Sequence, residues 1–237
     1  MKIALIAVIH GNIPALEAVE ADLKQRGITT IYCLGDMIAR GPNGAAVIDW
    51  CRANCEVVIL GNWESHVING GGWIRPFNDE IGEERRQWLS ALSFTHKMWL
   101  SGRRVHMFHG RPLSGIIWHN APDEEKLLLF GLIKDEFPPD ILICADIHRQ
   151  YKTDFKDDHR FMFNTGSVGS SYCTPTACYA ILNGKADGRE KAAISVEFVS
   201  LPYDNQKAVE NALNVGDWFP SVDKYIVEIT QGIWQDL

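Results

Sequence analysis

Six places in the chain set a polar group directly after an aliphatic run: His10, Asp36, Asn62, His109, the pair Asp146 and His148, and Asn164. Carboxylate, amide oxygen and imidazole are the donors that divalent Mn, Mg, Fe or Zn ions take. In sheets with parallel strands, ligands bind just beyond the carboxyl ends of the strands, so donors placed there can converge on one rim. Asp36 is the first expected ligand, because Gly35 before it lets the backbone turn tightly after the strand. A histidine elsewhere is more often an ordinary core or surface residue, and His66, His96, His106, His119 and His159 take that plain reading.

The elements that must hold these groups follow from hydrophobic periodicity. Residues 2–9 are nearly all aliphatic, as in a central strand covered on both faces, and end on His10-Gly11-Asn12. Pro14 then suits a first helical turn, and Leu16, Val19 and Leu23 recur at helical spacing up to Gly27. The pattern repeats with a strand at 30–34 and a helix at 43–53, and a third strand at 56–60 runs into Gly61-Asn62-Trp63-Glu64. An exposed helix is expected at 79–92, a hairpin from 97–100 and 103–108, and a helix at 123–136 stopped by Pro138-Pro139. Strands follow at 140–145, 161–163, 177–182 and 192–199, then helices near 205–214 and 221–231. No internal repeat or linker interrupts this alternation, so one domain spanning 1–237 is expected.

Composition narrows the function classes. Of 237 residues, 46% are hydrophobic and 22% charged, which suits a globular chain with a full core. The net charge of −7 without a basic block argues against general nucleic-acid or membrane-surface binding. An anionic substrate then needs local positive charge, which metal ions supply. The apolar stretch before His10 is too short for a signal peptide and no run reaches membrane-spanning length, so a cytoplasmic protein is expected. The six cysteines (Cys33, Cys51, Cys55, Cys144, Cys173, Cys178) form no Cys-x-x-Cys pair and read as buried free thiols.

In order, Val8-Ile9-His10, Gly35-Asp36, Gly61-Asn62-Trp63-Glu64, His109-Gly110 and Ala145-Asp146-Ile147-His148 resemble the blocks of the calcineurin-like metallophosphoesterase superfamily. Asn164-Thr165-Gly166-Ser167 is similar to a common closing block, so the likeness spans residues 3 to 169. It implies an α/β fold, a two-layer β-sandwich flanked by helices. It also implies a dinuclear site bridged by Asp36, with His10 and His148 on one ion and Asn62, His109 and Asp146 on the other. Mn is the expected ion, with Fe, Zn or Mg as alternatives, and Asp36, Asn62 and His109 take the catalytic roles. Such a pair polarises a phosphoryl oxygen and supplies the nucleophile for in-line displacement.

Three positions depart from the family pattern. Val8 stands where the family has a metal-binding aspartate, Trp63 where it has a histidine that assists the leaving group, and Asp146 where it has a histidine ligand. Because a carboxylate is lost at 8 and gained at 146, the ligand charge stays the same, as in a rearranged site. Arg40 and Arg111 follow ligand blocks and are candidate phosphate clamps, and Trp63 is a candidate stacking surface for a base. The expected activity is metal-dependent phosphoester hydrolysis on a small phosphorylated substrate. A diester or nucleotide anhydride is favoured, since better leaving groups lose least when a proton donor is missing. The alternatives are an impaired member that binds a nucleotide or protein partner, and a protein serine/threonine phosphatase.

Overall fold

The first aliphatic run forms strand β1 only over Lys2–Ile6. Residues 7–9, expected to continue it, instead peel away to pair with the next loop: the Val8 and Ile9 amides donate to Gly35 O at 2.9 Å and Asp36 O at 2.7 Å. Val8 carries φ 54°, a left-handed conformation that a β-branched residue rarely adopts and that breaks the ladder. The computed structural model describes residues 1–70, 72–110, 115, 117–133, 138–155, 159–186 and 189–235, with the Trp73 side chain also outside the description.

β1 lies parallel to β2 (Thr30–Cys33), and β2 lies parallel to the short β3 (Val57–Val58). On its other side β1 pairs antiparallel with β9 (Ala177–Asn183), which pairs with β10 (Ser195–Leu201). The second sheet has the order β4 (Thr95–Leu100), β5 (Arg103–Phe108), β6 (Ile141–Cys144), β8 (Arg160–Thr165), β7 (Gln150–Phe155). In it β5, β6 and β8 are parallel, while β4 and β7 are antiparallel edges. β7 was not legible as a strand, because its sequence Gln-Tyr-Lys-Thr-Asp-Phe is largely polar. An edge strand facing solvent tolerates that composition.

The two sheets face each other across a core that includes Leu5, Leu34, Met107, Ile143 and Phe163. The outer face of the first sheet is covered by α1 (Ile13–Arg26), α2 (Gly44–Asn54), α3 (Asn62–Asn69), α4 (Arg75–Ser90), α6 (Asn205–Asn214) and α7 (Val222–Gln231). The outer face of the second is covered by α5 (Asp123–Leu132), through Leu129 and Phe130. This is the expected two-layer sandwich flanked by helices. The helix expected at 123–136 ends at Leu132, with Ile133 extended after it, and the rest of that expectation lies outside the described residues. α4 differs from the exposed helix expected: it begins earlier, kinks at Gly82, and buries Phe77, Ile81 and Leu89. Of the cysteines, Cys33, Cys51, Cys144 and Cys178 are buried free thiols, Cys55 is half-buried, and Cys173 is exposed, contrary to expectation.

The connection after β2 approaches the one after β3 so closely that Gly35, at φ 88°, would place a Cβ 2.4 Å from Gly61 N. Gly27 at the end of α1 is also left-handed, at φ 64°, yet nothing lies within 4 Å of its Cβ position. The two separate backbone strain from collision. Gly27→Ala should lower stability by about 1 kcal/mol, from conformation alone. Gly35→Ala should cost about 3 kcal/mol or more, since backbone must move. Denaturant unfolding of both variants checks this; equal losses would mean that the two loops are not packed as described.

Candidate metal centre

The parallel strands of both sheets deliver their polar ends to one rim. His10 follows β1, Asp36 follows β2, Asn62 opens α3 after β3, His109 follows β5, and Asp146 and His148 follow β6. Ligand atoms of Asp36, His109 and Asp146 all lie within 4.8 Å of one another. His109 Nε2 stands 3.0 Å from Asp36 Oδ2 and 3.6 Å from Asp146 Oδ1. On the other side of Asp36, His10 Nε2 is 3.9 Å from Oδ2, and the His10 and His148 rings are 5.2 Å apart. Of the residues expected as ligands, Asp36, His109 and Asp146 thus form one group with Asn62 against it, and His10 lies beside Asp36 with the His148 ring next to it. Asn164 is turned away: it donates to Ala145 O and accepts from Gly166 N, tying the ends of β6 and β8.

The backbone here is unusual. Val8, His10, Asp36, Ala39, Arg40, Asp146 and His148 all have φ between 49° and 67°. Left-handed conformations at non-glycine residues cost free energy and cluster where function requires a side chain to be aimed. Asp146 comes within reach because Gly110 leaves room: a Cβ there would sit 2.3 Å from Asp146 Cβ.

Each of the three rim histidines donates its Nδ1 proton to a backbone carbonyl, which aims Nε2 at the rim. Nδ1 of His10 donates to Ile38 O at 2.9 Å, that of His109 to Leu34 O at 2.7 Å, and that of His148 to Ser170 O at 2.5 Å. Such bonds are how metal-ligating imidazoles are held, with the Nε2 lone pair free to point inward. His10 Nε2 is buried with no partner. The outer amide atom of Asn62 lies 3.3 Å from Asp36 Oδ2, 3.1 Å from Asp146 Oδ1 and 3.1 Å from His109 Nε2. Without a cation that atom must be the NH2 group; as the amide oxygen it would complete a ring of acceptors around a positive ion. An orphaned imidazole nitrogen and an acceptor ring are what a divalent metal satisfies.

Electrostatics divides the histidines. Burial, with His148 and Arg40 beside it, holds His10 well below the usual imidazole range, so its contact with Asp36 is not an ion pair. Burial and Arg40 likewise bring His148 down to about 3. Burial also opposes charge on His109, but the Asp36 and Asp146 carboxylates outweigh it and raise that group well above 6.5.

Two buried acids that the sequence reading left without a role build the frame. Glu64, fully buried, accepts from the amides of Asp36 at 2.8 Å, Met37 at 2.7 Å and Gly61 at 2.8 Å. Burial and the nearby Asp36 carboxylate raise it to about 7. Its signal was present in the sequence, as an acid three residues after Gly61. Glu228 gave no such signal, because its partner Arg40 is far away in the chain.

Arg40 is buried, and its guanidinium binds Glu228 through Nε and Nη2 and donates from Nη2 to Gln235 O at 2.8 Å. It sits 4.1 Å from the Trp234 ring centroid and 5.8 Å from that of Trp63. Trp234 in turn packs edge-on to His148, with centroids 4.7 Å apart, so residues 232–235 close one side of the site. Trp63 lies edge-on to His10 at 5.9 Å and is almost fully buried. Its amide donates to Asp36 Oδ1 at 3.0 Å. Arg111 lies outside the described residues.

Comparison with known proteins bears on the fold and the family. The chain is 27% identical over 235 residues to an uncharacterized protein of Methanocaldococcus jannaschii, covering 88% of this chain and 90% of that one. A metallophosphoesterase of Sphaerobacter thermophilus shares the fold at a TM-score of 0.77 and 19% identity, over 98% of this chain and 100% of its own. So does a hypothetical protein of Pyrococcus horikoshii, at 0.77 and 18%, over 99% of each chain. Residues 1–187 match the calcineurin-like phosphoesterase superfamily domain, and the chain therefore belongs to that family of phosphoesterases.

Proposed function

We propose that this protein is a metal-dependent phosphoesterase with a dinuclear centre, acting on a phosphodiester or nucleotide anhydride. The observation that carries the reading is the convergence of three Nε2 atoms, two carboxylates and the Asn62 amide on one rim. Asp36 lies between the two groups of ligands, with Oδ2 facing both His10 and His109, which is the place of a bridging ligand. His10 and His148 would hold one ion, and Asn62, His109 and Asp146 the other. Bound there, divalent cations supply Lewis acidity toward a phosphoryl oxygen and a nucleophile at neutral pH. Mn suits this mixture of hard oxygens and imidazoles, as do Fe, Zn and Mg in lesser or greater degree.

The chain's own groups orient and charge the site. Glu64 fixes the Asp36 backbone, and the buried Arg40 adds positive charge beside His10 and His148 while its bonds to Glu228 hold it still. Because Glu228 neutralises it, Arg40 acts on the site by positioning and not as a phosphate clamp. Trp63 has no titratable group, so a leaving oxygen gains no proton from position 63. Esters with good leaving groups are the favoured substrates for that reason. A second reading, nucleotide binding without turnover, draws on Val8, whose fully buried side chain belongs to the core between the sheets.

Metal analysis of purified protein, with Mn-dependent turnover of a nitrophenyl diester and monoester, tests the proposal. Two ions per chain with faster diester turnover is expected; metal-loaded protein that binds nucleotide but turns over neither ester selects the second reading. Asp36→Asn should keep its fold by circular dichroism and lose about 100-fold or more in metal-dependent rate, because both ions share that oxygen. Unchanged stoichiometry and rate would refute the bridging role.

Two further expectations follow from charge. Since His109 is held protonated by two carboxylates in the metal-free protein, a cation must displace its proton. Affinity should then rise with pH up to the raised His109 pKa, by about tenfold per pH unit for one proton released. Calorimetry in buffers of different ionisation enthalpy counts that proton; no buffer dependence would contradict it. Val8→Asp should tighten the ion at His10 and His148 and lower metal-free stability, since a buried carboxylate there lacks a partner. Identical metal titrations for both proteins would mean that position 8 does not face the ions.

A further inference from the structure

Beside the metal centre a cleft of about 600 Å³ opens between the two sheets' rims and α5. That is the size of pocket that encloses most of a small organic ligand. Its walls are Leu60, Phe94, Phe108 and Leu129, from four different parts of the chain, and Asn62 and His109 of the centre lie in the same lining. Most of these apolar walls are buried, but Phe94 is 64% exposed, an aromatic ring standing at the mouth. Free apolar surface of this kind is stabilised by covering it with another apolar group.

The charges in the lining point one way. Lys97 is present, and no carboxylate is among the described lining residues, in a chain whose net charge is −7. Among the described lining residues, none places a carboxylate between Phe94 and the side of the cleft that holds Asn62 and His109. The cleft therefore offers an apolar wall for an organic group beside the place where the phosphoryl group attached to it would meet the centre.

We propose that this cleft receives the organic group of the substrate, and that this group is an aromatic or comparably flat apolar ring. The inference rests on the phosphoesterase reading of the neighbouring centre, and it makes Phe94 a specificity-determining residue. Phenylphosphonate and methylphosphonate share the phosphoryl part and differ in the ring, so their binding to Mn-loaded protein isolates the cleft. Phenylphosphonate should bind at least about tenfold more tightly, the effect of covering one ring. Phe94→Ser, an uncharged change at an exposed position, should reduce that preference to about threefold or less and leave methylphosphonate unchanged. Equal affinities in the wild type, or an equal loss for both ligands in Phe94→Ser, would overturn the proposal.

A fluorescent anilinonaphthalene sulfonate, titrated into metal-free protein, reports on the cleft without the metals. If neither phosphonate binds but the dye binds and Phe94→Ser weakens it, the phosphoesterase reading fails while the aromatic site stands. Dye binding that ignores Phe94→Ser overturns the aromatic site itself.

Discussion

One buried carboxylate sets the geometry on which the metal centre depends. Glu64 gathers the backbone amides of Asp36, Met37 and Gly61, and so joins the end of β2 to the start of α3. Those amides have no strand or helix partner in the turn they occupy, and left unpaired in the interior each would cost about 1–3 kcal/mol. Because the acceptor is one rigid side chain, the two loops cannot move independently. Asp36 Oδ2 and the outer amide atom of Asn62, which those loops carry, stand 3.3 Å apart. The left-handed backbone at His10, Asp36, Asp146 and His148 is tolerable only in such an overdetermined setting.

The strand-end residues were legible for a physical reason. A parallel strand buried on both faces reads as an unbroken aliphatic run, so the first polar residue after it marks the rim. His10, Asp36, His109, Asp146 and His148 were found in this way; Asp36, His109 and Asp146 lie within 4.8 Å of one another, and the His10 and His148 rings adjoin each other. What the pattern could not give was the point where β1 stops pairing, because Ala7, Val8 and Ile9 are as apolar as the strand before them. Burial in the inter-sheet core and burial in a strand leave the same mark on a sequence. The helix α3 was missed for a different reason: its eight residues, beginning at Asn62, are polar enough to look like loop.

Partners distant in the chain were the least legible. Arg40 read as an ordinary arginine or a phosphate clamp, whereas it is enclosed by Glu228, Gln235 and Trp234. No local spacing announces a contact of that range. Ion pairs so deeply buried are weak evidence of net stability, since desolvation offsets much of the attraction. Their effect is positional: the pair, with Ser170 Oγ donating to Glu228 at 3.0 Å, draws the β8–β9 connection, α7 and the segment after it toward the metal rim.

That arrangement has a consequence for how the protein is made. His10 and Asp36 leave the ribosome before the residues that enclose Arg40, which come from 228 to 235. During synthesis the first sheet also waits, because β9, the antiparallel partner of β1, begins only at Ala177. Until those residues are made, a nascent chain holds several candidate ligand side chains and an arginine without its counter-ion. Contacts of such long sequence separation make folding slow, and divalent ions present in that interval meet His10 and Asp36 before the walls that would choose among them exist.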